Sequence, residues 1–349
     1  MKKIIALLAA ALFLAAVSGP AQAAPRNQIT VFIWSEYIDP EVVKAFEQDT
    51  GIKVRFDYYE SNEEMIAKLQ SGGVRQYDLI FPSSYFLPTL KSLKLIQPLD
   101  HSRLPGLANL DAEFSKKLEE DPGHEFTVPY QWGTSGLVVR AAGKAEASWA
   151  LLFKPQAAPG SFILLDTARD ALGAALKYQG HSLNSVNPQE IEAAMNLLIS
   201  MKSRPEFFGF DGGVGGLNKV LGGLAATAQV YSGDALRAQE EDETLQFVLP
   251  REGFEVWTDL MAVPSEAPNS EGALAFIEYM LKPEVGAQVA TFNRYATPNK
   301  AAREFLPPED LANPALYPSA ELMKKAEYLR DLGPDNLLYD EAWTTVKSR

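Results

Sequence analysis

ITVFIWSEYIDPEVVKAFEQDTGIKVRFDYYESNEEMIAKLQSGGVRQYDLIF, residues 29–81, decides the fold. Residues 29–33 are β-formers and read as a strand. Pro40 opens a helical pattern with Val42, Val43 and Phe46 on one stripe, and Gly51 stops it. Residues 52–58 make a second strand. Ser61-Asn62-Glu63-Glu64 looks like a capping box for a helix through Leu69, which Gly72-Gly73 ends. Residues 78–81 make a third strand, broken by Pro82. Strand, helix, strand, helix, strand within this length is the signature of a parallel sheet. In open α/β sheets a ligand sits just past the carboxyl ends of strands. Two of these ends carry Trp34-Ser35-Glu36-Tyr37 and Ser83-Ser84-Tyr85.

Further along, a second α/β pattern runs over about 136–248. Residues 162–165 and 227–231 read as strands, and 168–178 and 188–202 as helices. The glycine-rich stretch 212–223 lacks the Gly-Lys-Ser/Thr of a phosphate loop and reads as a loop followed by a helix start. Residues 254–263 form another strand, carrying Trp257 and Asp259, and 271–281 and 283–292 are helical. With no single Pro/Gly-rich boundary, the domains are expected to be joined by several crossings rather than by one linker.

Bulk properties narrow the function. The chain has 349 residues, 46% hydrophobic and 22% charged, with a formal net charge of -13. That balance argues against nucleic acid and anionic membranes and is compatible with cationic partners. Met1-Lys2-Lys3, an apolar run over 4–17 and Ala21-Gln22-Ala23 read as a cleaved signal peptide spanning 1–23. No later segment of comparable length lacks charge, so no membrane insertion of the mature chain is expected. The absence of cysteine removes disulfides, a lipid-anchored N-terminal Cys and Cys metal sites. Export without a lipid anchor suits a Gram-negative periplasm.

Catalytic signals are weak. His101, His124 and His181 are scattered without metal-ligand spacing, so no metal or cofactor is assigned. Gly133-Thr134-Ser135-Gly136 falls short of a nucleophile elbow because its last glycine comes one residue early. A nucleophile–base pair is hard to assemble from what is left. The residues near strand ends and breaks tell more: Trp34, Glu36, Tyr37, Ser83, Tyr85, Asp170, Tyr231, Trp257, Asp259 and Tyr295. Aromatic faces attract alkylammonium groups and cover methylene chains. Desolvated carboxylates need a cationic partner. Rings and acids together suit a slim aliphatic polycation.

The blocks WSEYIDP, TGIKV, YESNEEMIAKL, YDLIFPSSY, VPYQWGTSG, SWALLFKP, LLDTARDAL, NPQEIEAA, REGFEVWTDLMAVP, NSEGALAFIEYML and TPNKAAR occur in one order over nearly all of the mature chain. In these blocks the chain resembles the periplasmic spermidine/putrescine-binding proteins of polyamine ABC importers. The resemblance implies the two-lobed periplasmic binding-protein fold, type II, each lobe α/β, with three crossings. The expected lobes are 24–132 plus 257–299 and 133–256 plus 300–349. It also implies the cleft. Trp34 and Tyr37 are ring walls with the acid Glu36 between them. Ser83 and Tyr85 follow the third strand. Asp170 stands where the family has an amine-pairing Glu, and Tyr231 where it often has Trp. Trp257 is a further ring, Asp259 the acid that holds an amine, and Tyr295 a cleft tyrosine.

Two positions depart from that pattern. Thr167 replaces an Asp of the spermidine-binding members, and Leu329 replaces a Gln. Asp166 is the neighbouring acid but is expected to point away. The expected role is a non-enzymatic, monomeric binding subunit that captures putrescine or spermidine and hands it to an inner-membrane permease. Thr167 and Leu329 leave open another small solute or a sensing role. A secreted hydrolase would need a nucleophile or metal site that the sequence does not display.

Overall fold

The computed structural model describes residues 27–141 and 143–349. The signal peptide expected at 1–23 lies outside the described residues. Among the described residues there are ten strands: β1 Gln28–Trp34, β2 Lys53–Tyr59, β3 Leu79–Ile80, β4 Thr127–Arg140, β5 Phe162–Leu165, β6 Phe207–Asp211, β7 Thr227–Tyr231, β8 Leu245–Val248, β9 Phe254–Ala262 and β10 Ala326–Tyr328. The strands run in the order β2-β1-β3-β9-β4-β7-β5-β6, with β10 on β9 and β8 on β4. β1 is parallel to both β2 and β3, as the opening stretch requires, whereas β9 is antiparallel to β3 and β4.

β4 joins the two halves. Its residues Thr127–Thr134 pair with β9, and Ser135–Arg140 pair with β7 and β8. One unbroken strand therefore belongs to the sheets of both lobes. Each sheet is covered on both faces. Side chains alternate along β1, so Ile29, Val31 and Ile33 enter one core while Phe32 enters the other. In the second lobe, Leu137 and Val139 face one core and Val138 faces the next.

Local chemistry sets the first elements. Asp39 caps the Pro40–Thr50 helix by accepting from Glu41 N at 2.8 Å, Pro40 opens it, and Gly51 closes it at φ 73°. Ser61 caps the Asn62–Gln70 helix through Glu64 N, and the Glu64 carboxylate reaches back to Glu60 N. The third strand is shorter than expected. Only Leu79–Ile80 pair in a ladder; just before them the Asp78 carboxylate accepts from Thr30 N and Asn269 N, and its own N–H donates to Thr30 O at 2.8 Å.

The glycine-rich stretch differs from its sequence reading: Gly213–Leu221 is helix almost throughout. Leu217 and Val220 bury one stripe, and Gly216 lies against Ile163, so tertiary burial overrides weak propensity. The elbow-like Gly133–Gly136 stretch lies flat inside β4. The histidines serve loops. His101 Nε2 meets His124 O at 2.7 Å, His124 Nε2 meets Ser115 Oγ at 2.8 Å, and His181 lies 3.5 Å from Glu190.

Candidate functional site

The site grows from the ends of β1, β3, β4, β7 and β9, where the two sheets meet. Along β9, side chains alternate, so Glu255, Trp257 and Asp259 share one face. Asp259 is 7% exposed and accepts from Ser83 Oγ at 2.7 Å. Asn62 holds Ser83 in place: Asn62 Oδ1 accepts from Ser83 N, and its Nδ2 donates to Ser83 Oγ. The Tyr37 hydroxyl faces the same carboxylate without a well-aligned hydrogen bond. Burial pushes Asp259 up to about 7, and its Ser83 and Tyr37 contacts only partly offset that.

A wall of rings surrounds this acid. Trp257 meets Tyr295 edge-on at 4.9 Å and Tyr231 at 5.8 Å, and Tyr37 meets Tyr295 at 5.7 Å. Two glycines make the fit. A Cβ on Gly133 would run into the Trp257 indole, and one on Gly233 would stand 2.5 Å from the Tyr295 ring. Trp34 lies at the edge of this group. Its Nε1 donates to Phe81 O at 2.9 Å and its ring tilts against Tyr59, so it buttresses the strand end.

The second lobe brings Asp170, on the first turn of the Ala168–Tyr178 helix and 6% exposed. Thr167 caps this helix and donates its hydroxyl to the Asp170 carboxylate. Ser135 Oγ and the Tyr231 hydroxyl donate to it at 3.2 and 3.3 Å. Burial raises the Asp170 carboxyl above its ordinary range, against these hydroxyls. Tyr85 reaches across from the first lobe and lies 5.4 Å under the Arg169 guanidinium, so the lobes touch over the cleft.

Glu36 stands apart. It is exposed, with a positive φ of 54°, and its charge bears on Asp234. The structure thus brings Tyr37, Ser83, Asp170, Tyr231, Trp257, Asp259 and Tyr295 together, places Tyr85 beside Arg169, and leaves Trp34 and Glu36 at the rim.

A family model described as bacterial extracellular solute-binding protein matches residues 41–318. The chain belongs to that family. The spermidine/putrescine-binding periplasmic protein of Escherichia coli K12 is 36% identical over 351 residues, covering 100% of this chain and 99% of the relative. The putrescine-binding periplasmic protein SpuD of Pseudomonas aeruginosa is 34% identical, with 100% and 99% covered. The solved structure of the spermidine/putrescine ABC transporter substrate-binding protein PotD from Streptococcus pneumoniae superposes with a TM-score of 0.77 at 34% identity, covering 92% of this chain and 98% of that one. No helix among the described residues is long and apolar enough to cross a membrane.

In this solute-binding protein two cleft groups escaped the sequence reading. Glu255, 6% exposed, shares the β9 face with Trp257 and Asp259. The two-residue period of the strand, carried back from Asp259 and Trp257, holds that signal. Asp234, also 6% exposed, lies against Tyr295 and pairs with Arg237 at 2.6 Å. No spacing in the sequence announces it. The two departures are now placed as well. Thr167 is a helix cap, and Leu329 is buried where its N–H meets Val256 O at 3.2 Å. Asp166 turns away from the cleft to Lys347, at 2.6 and 2.8 Å.

Proposed function

We propose that this chain is the periplasmic substrate-binding subunit of an ABC importer, that it captures a polyamine such as putrescine or spermidine between its lobes, and that it delivers the amine to a membrane permease. One observation carries the reading. Asp259 and Asp170 are buried carboxylates whose partners are hydroxyls rather than basic side chains, and aromatic rings enclose them. A buried carboxylate in such a setting gains most from a cation that brings its own positive charge. The rings suit the methylenes between ammonium groups. The names of the relatives agree on the ligand class and on a periplasmic location. No chemistry is assigned to the protein.

Site roles follow from position. Asp259 and Asp170 hold ammonium groups, Trp257, Tyr231, Tyr295 and Tyr37 form the walls, Ser83 orients Asp259, Tyr85 bears on Arg169, and Trp34 and Glu36 shape the mouth. The lobes are taken as 24–132 plus 257–299 and 133–256 plus 300–349, with two adjustments that packing favours. β9 joins the first sheet from Phe254. The final return falls after β10, because β10 lies on β9 and the Asn336–Ser348 helix packs into the second lobe's core. Closure on the ligand is driven by contacts made to both lobes at once.

Calorimetric titration of the refolded protein with putrescine, cadaverine, spermidine and spermine tests the reading. Micromolar or tighter binding of one amine, lost in Trp257→Ala and Asp259→Asn, is expected. Absence of heat with all four would overturn it and favour another solute, with Thr167 and Leu329 as the redirecting positions.

A further inference from the structure

Glu255 and Glu327 face each other across the β9–β10 pair, yet their surroundings differ. Glu327 is neutralised: Lys177 Nζ donates to it at 2.5 Å, and Ser182 Oγ and Leu183 N complete the shell. Glu255 instead has another acid beside it. Burial raises its carboxyl most, and the charge of Asp170 raises it further. Arg169 lies near enough to temper the charge, but its guanidinium donates to Arg330 O and Asn184 Oδ1 and stacks on Tyr85 and Tyr339. A buried acid on a strand face, directed at a second acid, costs stability unless a proton is shared or a cation arrives.

The same face of β9 says where a cation would go. Glu255 and Asp259 are four residues apart, roughly 13 Å between Cα atoms at the rise of an extended strand. Trp257 stands between them, 7% exposed, with its indole N–H buried and without a hydrogen-bond partner. The strand therefore presents acid, ring, acid in a line, and the helix of the second lobe adds Asp170 to one end.

We propose that Glu255 is a specificity-determining residue of the cleft: with Asp170 it holds one ammonium group of a linear amine that crosses Trp257 and places a second ammonium at Asp259. This rests on the reading given under Proposed function and deepens it. Glu255 takes over, from a neighbouring strand, the charge that Thr167 lacks. The ligand class becomes linear amines with at least two cationic centres, and a monoamine is a poor ligand because it leaves one acid group without a cation. Burial and the Asp170 charge both raise the Glu255 carboxyl, so the pair keeps a proton until an ammonium displaces it.

The test compares the refolded wild type with Glu255→Gln, titrating putrescine, spermidine and butylamine in two buffers of different ionisation enthalpy. In the wild type both polyamines outbind butylamine, and binding near neutral pH releases about one proton from the acid pair. Glu255→Gln is expected to shrink the polyamine advantage at least tenfold and to cut that release to the share that Asp259, pushed up to about 7, supplies. Its unliganded melting temperature should not fall, since the amide is as neutral as the protonated carboxyl it replaces and still offers a hydrogen-bond donor. Should Glu255→Gln fail to fold, Glu255→Asp, which keeps the acid, should retain proton release with weaker binding. Unchanged affinity, selectivity and proton release in Glu255→Gln, or a Glu255→Asp variant that binds without proton release, would overturn the role of Glu255 alone. A wild type that binds no amine would overturn the functional reading and this inference with it.

Discussion

Asp259 and Asp170 are both buried acids among hydroxyls, but they are built differently. Asp259 sits mid-strand on β9 and is held by Ser83, which is itself held by Asn62. Asp170 sits on the first turn of a helix, where Thr167, Ser135 and Tyr231 converge and Glu255 adds a second negative group. The first is a lone carboxylate strained by desolvation. The second is a coupled pair in which desolvation and like charge act together. The two ends of the cleft should therefore respond differently to substitution and to pH.

The largest difference should appear on removing the lone acid. Asp259→Asn is expected to weaken polyamine binding by about 2–5 kcal/mol, because the ammonium loses its only full charge partner at that end. Calorimetry reads this directly. An effect below tenfold would shift the weight of the site to the Asp170 end.

Stability rather than affinity responds next. Gly233→Ala puts a methyl group 2.5 Å from the Tyr295 ring, in a region packed by Tyr37 and Trp257. Overpacking of this kind costs about 1–3 kcal/mol. Urea unfolding with an unchanged slope and a lower midpoint would confirm it. An unaltered midpoint would mean that the ring wall yields freely.

Acidity gives a third contrast. Burial pushes Asp259 from the ordinary 3.8 up to about 7 in the fold, so its folded-state value is raised. Its penalty on the unliganded fold is absent below about pH 4, grows as pH rises and is complete above about 7. Ligand affinity runs the other way and should strengthen up to about pH 7, as the carboxylate ionises in the presence of Tyr37, Tyr59, Tyr130 and Glu255. Asp259→Asn should flatten this part of both profiles. The coupled pair should leave a residual slope, and a wild-type profile already flat between pH 5 and 8 would contradict the assignment.

Thr167→Ala removes a helix cap and one hydroxyl on Asp170. About 1 kcal/mol of stability should be lost, with a smaller loss of affinity. Asp166→Asn, next door, breaks a half-exposed pair with Lys347 and should change stability by less than about 1 kcal/mol and binding not at all. Binding loss in the latter would mean that Asp166 reaches the cleft after all.

Much of this molecule was legible because local rules and burial agree. The Pro40–Thr50, Ala168–Tyr178 and Pro188–Lys202 helices carry caps and stripes that the sequence displays. β5 is a short apolar run and β7 a short strand, both of the expected length. The Gly213–Leu221 helix was obscured because its glycines argue against helix, and only packing on Ile163 settles it. β4 carries Gly133–Gly136, which in the sequence only falls short of a nucleophile elbow and does not display a strand. Gly133 is there because Trp257 fills the space that a Cβ would need.

Readable along the chain alone were the parallel β1–β3 unit and the rings and acids at strand ends. These are properties of periodicity and residue type, which act over a few positions. Only the tertiary structure decided which acids share an end of the cleft, that Glu255 stands beside Asp170 while Glu327 is neutralised by Lys177, and that Thr167 caps a helix instead of supplying charge. Desolvation and charge coupling depend on groups separated by many residues along the chain, and only folding brings those groups together.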